Sequence, residues 1–154
     1  VSKWGKFEFD DLKKFAKQLE QIREEREQLC IEVEKALAAR LLAKVIPRTP
    51  TGNYPPGSGK VGGTLKRSWQ VTDIIKKGDI YEISIFNPVE YAPYVEYGHR
   101  QEVGRFVPAI GKRLKNAWVP GRFMLTISEQ ELQRDAARII DRKVTEFLMK
   151  RLGG

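Results

Sequence analysis

Apolar residues recur along the first third of the chain at Leu12, Phe15, Leu19, Ile22, Leu29, Val33, Leu37 and Leu41, with Arg26 in the one missing slot. Leu12 to Leu41 covers 29 residues in eight steps, close to the 3.6-residue period of an α-helix. Asp10 or Asp11 is placed to cap it, because an Asp side chain accepts from the orphan N–H groups of a first turn. No Gly or Pro interrupts the pattern before Pro47. A helix of about 35 residues would be roughly 50 Å long. That exceeds what the core of so short a chain needs, so part of the helix is expected to project or to lie along a partner.

From Pro47 to Gly63 the sequence is rich in Pro and Gly, which block helix and central strand alike. A loop of this length is functional or disordered more often than not, and an arm that orders on assembly fits it. Two strand-like runs follow. Trp69, Val71 and Ile74–Ile75 lead to a Lys77-Gly78-Asp79 turn, then to Ile80, Tyr81, Ile83, Ile85 and Phe86. Ile83 and Ile85 alternate with Glu82 and Ser84, the pattern of a half-buried strand. The Gly-containing turn makes the pair an antiparallel hairpin.

The segment Tyr91 to His99 reads YAPYVEYGH. Tyr91, Tyr94 and Val95 would share one helical turn, with Pro93 in its first turn and Gly98 at its end. Residues 101–121 are irregular and are expected to form a second long loop, with a short helix near Lys112 to Ala117. Phe123 to Ile127 reads as a short strand. Ser128 and Glu131 have the spacing of a capping box. Leu132, Ala136, Ile139, Ile140, Val144, Phe147, Leu148 and Leu152 then follow at helical spacing up to Gly153. The whole is an α+β arrangement: a long N-terminal helix, a small antiparallel sheet with long loops, and a C-terminal helix. We expect one domain over residues 1–154, with flexible loops at 47–63 and 101–121.

Charge sharpens this picture in one place. The formal net charge is +8, but residues 1–46 and 128–154 are close to balance. The excess lies between Arg100 and Arg122, where Arg100, Arg105, Lys112, Arg113, Lys115 and Arg122 face Glu102 alone. Such a patch attracts nucleic acid or an acidic partner surface. No apolar run is long enough to span a membrane, and Val1 to Asp10 has no apolar signal-peptide core. Cys30 is the single cysteine. That excludes an internal disulfide and a cysteine-based zinc cluster and points to synthesis in a reducing cytoplasm.

Candidate chemistry is sparse. Gly57-Ser58-Gly59-Lys60 lacks the spacing of a phosphate-binding loop, and no strand precedes it. His99 is the single histidine, without a thiol or nucleophile context for metal or triad chemistry; a hydrogen bond to the loop beside Gly98 is the expected role. Glu90, Glu96 and Glu102 are six residues apart, the wrong phase to share a helix face. Glu96 is expected to pair with Arg100 at i+4. No catalytic residue, cofactor or metal ligand emerges. Aromatic residues interleaved with basic ones, such as Phe106 and Trp118, serve either stacking on nucleic acid or anchoring at protein interfaces.

The run from Asn87-Pro88 through Tyr91-Ala92-Pro93-Tyr94-Val95-Glu96-Tyr97-Gly98-His99-Arg100 resembles a hallmark of a phage tail-component family. That family comprises tail-completion and head–tail joining (neck) proteins related to minor tail protein Z. Thr64-Leu65-Lys66-Arg67-Ser68-Trp69 is similar to its second hallmark, the lead-in to the sheet. Gly121-Arg122-Phe123-Met124-Leu125 resembles the version that precedes the last helix. Thr51 to Gly62 departs from the pattern as an insertion. The resemblance implies a non-enzymatic virion protein without cofactor, made in the bacterial host cytoplasm. It implies a homo-oligomeric ring, often sixfold, at the head-proximal end of the tail. Its partners would be a tail terminator or tube protein and connector proteins below the portal, with no membrane. Tyr91, Tyr94, Tyr97, Phe106 and Trp118, with the exposed stripe of the first helix, are the expected interface residues. Arg105, Lys112, Arg113, Lys115 and Arg122 would face DNA in the lumen or an acidic partner. The alternative is a stand-alone nucleic-acid-binding protein that uses residues 105–122.

Overall fold

A computed structural model describes residues 9–153. Two long helices carry the architecture: α1, Phe9–Arg48, and α4, Met124–Leu152. Between them lie a short helix α2, Thr64–Arg67, and a second, α3, Ala92–Tyr97. Eight short strands form four antiparallel pairs. Gln70–Val71 (β1) pairs with Ile85–Phe86 (β4), and Ile75–Lys77 (β2) with Ile80–Glu82 (β3). Gly98–Arg100 (β5) pairs with Trp118–Pro120 (β8), and Phe106–Val107 (β6) with Lys112–Arg113 (β7). The α+β class expected from the sequence is the one observed.

The helix periodicity holds, but the ends differ. Asp10 and Asp11 lie inside the first turn of α1 rather than capping it, where their charge complements the helix dipole. The helix also runs through Pro47 to Arg48. A proline in the last turn forfeits one backbone bond, and Thr49 closes the end by donating both its N–H and its hydroxyl to the Val45 carbonyl. Forty residues make α1 about 60 Å long.

α4 runs antiparallel to α1. At one end Glu131 meets Lys44 and Arg48; at the other Arg151 meets Glu25. Ala38, Ile139 and Phe147 are buried along the way. Residues 9–24 therefore extend past the last ion pair, by about 24 Å at 1.5 Å per residue. Leu12, Phe15 and Leu19 there are about half exposed, in keeping with the expected projection.

The hairpin from Gln70 to Phe86 forms as expected, with Gly78 at positive φ in its two-residue turn. The segment after α3 is a second hairpin instead of a helix-containing loop. Gln101 donates to Ala117, Gly104 to Leu114 and Leu114 to Arg105, joining the two strand pairs into one arm, residues 98–120. Backbone pairing with residues upstream consumes the groups that a helix at 112–117 would need.

The core gathers Val45 of α1, Leu65 of α2, Ala92 of α3 and Met124 of α4, with Leu42, Ile46, Trp69, Val89, Val95 and Leu125 around them. Phe123 to Ile127 is not a strand. Phe123 adopts φ 47, and the helix begins at Met124. Ser128 sits within α4, fully buried, and donates to the Met124 carbonyl. Glu131 serves the ion pairs instead of a capping box.

Candidate functional site

The three motif segments converge on this core. Asn87 donates from its amide to the Leu65 carbonyl and accepts from the Val89 N–H, tying the second motif to the first. Trp69 donates its indole N–H to Thr49 at 2.8 Å. α3 then meets α4 through Glu96. This residue is 6% exposed, and its carboxylate accepts the Leu125 N–H at 3.0 Å, the Thr126 N–H at 2.9 Å and the Thr126 hydroxyl at 2.8 Å. A carboxylate on the orphan N–H groups of a first turn both caps the helix and complements its dipole. The expected pair with Arg100 is therefore not made: Glu96 points into the junction, away from solvent.

Two glycines permit that junction. Gly98 has φ 84, and a Cβ there would lie 2.5 Å from the Val119 carbonyl oxygen. A Cβ on Gly121 would collide with the backbone of Glu96 and Tyr97. The Arg122 N–H donates to Val95 and the Phe123 N–H to Glu96, so backbone meets backbone with no room for a side chain.

With Ala92 and Glu96 buried one turn apart, the opposite face of α3 is fixed. Tyr91, Tyr94 and Tyr97 are all exposed, Tyr94 at 58% and Tyr97 at 63%. Val95 parts from the tyrosines to pack on the core, although with Tyr91 it lines a hollow of about 170 Å³ under residues 50–65. Trp118 lies over Gly98 at the base of the arm, half exposed. Tyr94 packs edge-on to the His99 ring, 6.0 Å between centroids. The Nδ1 atom of His99 is buried without a hydrogen-bond partner among the described residues, so the expected bond to the loop is absent at that atom.

Of the five aromatic candidates, Tyr91, Tyr94, Tyr97 and Trp118 thus stand near the root of the arm. Phe106 is separated from them, opposite Arg113 near the tip. The basic candidates divide similarly. Arg105, Lys112, Arg113 and Lys115 belong to the arm, whereas Arg122 sits at the junction before α4. All five are exposed. None forms an ion pair among the described residues, and Arg113 donates to the Gly104 carbonyl within the arm.

Sequence reasoning missed a second basic surface. Arg40 of α1 and Arg138, Arg142 and Lys143 of α4 line a cleft of about 440 Å³ with Ile139 and Glu146. Its signal was the four-residue spacing of Arg134, Arg138 and Arg142, masked by the near balance of charge in the C-terminal segment. Two of these arginines are paired within their own helix, Arg138 with Asp135 and Arg142 with Glu146. Across the helix pair a cleft of about 360 Å³ holds Glu34 and Glu129 among leucines and isoleucines. Burial there raises the Glu34 carboxyl above its ordinary value. No group of His, Cys, Asp and Glu side chains suited to a metal ion occurs among the described residues. Nor is any helix there long and apolar enough to cross a membrane.

Comparison with known proteins adds one finding. Residues 13–98 match the family model described as "Bacteriophage HK97-gp10, putative tail-component". Searches of curated proteins and of solved structures returned no match.

Proposed function

The chain belongs to the HK97-gp10-like family of phage tail components, and from that premise we propose that it is a non-enzymatic ring protein of the virion. In this reading it closes the head-proximal end of the tail and joins it to the neck. Its partners are copies of itself, a tail terminator or tube protein, and connector proteins below the portal. The chain, residues 1–154, acts as one domain, with segments 47–63 and 101–121 reaching those partners.

One observation carries the reading: the family motif has a satisfied inner face and a bare outer face. Ala92 and Glu96 are committed to the core, while Tyr91, Tyr94, Tyr97 and Trp118 present aromatic surface beside an arm whose cations form no ion pair among the described residues. Exposed aromatic and arginine side chains are the residue types that dominate protein–protein hot spots. The test is Tyr94→Ala with Tyr97→Ala. Both side chains are more than half exposed, so the variant is expected to fold and to fail in joining tail to neck. Particles that assemble a normal junction with this variant would sink the assignment.

A second reading, nucleic-acid binding through residues 105–122, draws on the same cations. It predicts DNA binding that weakens steeply with salt as phosphate counterions are released. Absence of binding by the purified chain at low salt would dispose of it.

A further inference from the structure

Two surfaces of opposite charge stand on the molecule, each with charges that have no ion-pair partner among the described residues. Between Arg100 and Lys115 the arm carries five cations against Glu102, a net charge of +4. Along α1, residues 20–34 carry six glutamates against Arg23 and Arg26, a net charge of −4. Of those acids, Glu25 and Glu27 are held by Arg151 and Lys76. Glu20, Glu24 and Glu32 are exposed and have no ion-pair partner among the described residues.

The two surfaces are apart within one molecule. The arm is rooted on α3, beside the Val45 end of α1. Glu32 and Glu20 lie roughly 20 and 38 Å along the helix from Val45. Within the molecule the arm's tip, at Ile110 and Lys112, faces Asn53 to Pro56 across an open hollow, and its other side is uncovered. The arm is a two-stranded ribbon, and Val103 and Phe106 on it are at least half exposed. Ribbons of this kind are marginal in water unless something packs on them.

We propose that the arm of one copy docks on the Glu20–Glu32 face of α1 in a second copy. Different patches then meet across the contact, a head-to-tail arrangement that closes into a ring when the rotation per copy allows it. The inference rests on the ring reading above and adds to it which surfaces meet. Opposed charge sets the register of such a contact and the speed at which it forms. Val103 and Phe106 gain cover on the neighbour's helix.

The test is a charge exchange on the full chain. One variant carries Arg105→Glu, Lys112→Glu and Lys115→Glu; Arg113 is kept because it braces the arm. A second carries Glu20→Arg, Glu24→Arg and Glu32→Arg. A third carries all six changes. Self-association is read by sedimentation velocity at low and high salt, and folding by thermal melting, since all six positions are exposed. Wild type is expected to associate, less so as salt rises. Each triple variant should associate about 30-fold more weakly, and the six-fold variant should recover to within about threefold of wild type. No loss in either triple variant, or no recovery in the combined one, would overturn the docking and leave the ring reading standing. Wild type that stays monomeric at the highest concentration would overturn both. Loss of salt-dependent duplex DNA binding in the arm variant, with self-association unchanged in the α1 variant, would make nucleic acid the arm's occupant and overturn the docking.

Discussion

The junction around Glu96 and the arm that leaves it at Gly98 are neighbours in sequence and opposites in physics. At the junction every prominent polar group has an internal partner: Glu96 on Leu125 and Thr126, Asn87 on Leu65, Trp69 on Thr49. On the arm the cations have no ion-pair partner among the described residues, and Val103, Phe106 and Trp118 are half exposed or more. A buried group left unsatisfied costs far more than an exposed one. The junction is therefore where substitution should damage the fold. The arm should tolerate change in isolation and reveal its role only in company.

The largest effect is expected at the glycines. Gly121→Ala drives a Cβ into the Glu96 and Tyr97 backbone and should cost roughly 3–5 kcal/mol in denaturant unfolding. A cost under about 1 kcal/mol would show that the junction can relax. Glu96→Ala comes next, because it strips two N–H groups of α4 of their acceptor. It should lose about 2 kcal/mol, with Glu96→Gln losing less because an amide oxygen still accepts. Arg105→Ala with Lys115→Ala should change stability by no more than about 0.5 kcal/mol; a larger loss measured by thermal melting would erase the contrast.

The smallest effects concern pH along the helix pair. Hydrogen bonds from Arg48 and then Lys44 hold the Glu131 carboxyl below its ordinary 4.5. A depressed carboxylate adds stability above the unfolded value and loses it as pH falls through the folded one. The melting-temperature advantage of wild type over Glu131→Gln should accordingly fade below about pH 4.5. Glu34 has the opposite sign: burial raises its pKa, so its ionisation works against the fold as pH rises. Glu34→Gln should melt slightly higher than wild type at neutral pH and alike in acid. A constant offset across the titration would remove the carboxylates from the account.

Elements governed by local periodicity were legible in the sequence. α1, α4, the Gly78 hairpin and the α3 turn follow from spacing of three, four or two residues. Elements governed by distant partners were not. The sequence places the cap of α4 at Ser128, five residues after the observed N-cap Phe123, because the carboxylate that caps it, Glu96, lies 29 residues upstream in the chain. The arm read as loop because its strands are two or three residues long, too short to show alternation. The site was legible as composition, an aromatic string followed by basic residues. Only the burial of Ala92 and Glu96 separates tyrosines that face outward from Val95, which faces the core. The cleft around Arg138 escaped notice because it forms between helices far apart in sequence.

The ion pair between Glu25 and Arg151 marks where α1 leaves the support of α4. Beyond it, residues 9–24 form a lever about 24 Å long. A tilt of about 10° at that fulcrum would swing the tip sideways by roughly 4 Å, nearly half the spacing between packed helices. An error of fit too small to matter at the fulcrum would become a loss of packing at the tip. In the ring proposed above, residues 9–24 would thus act as a gauge, engaging a neighbour only when the bodies of the two molecules are correctly set.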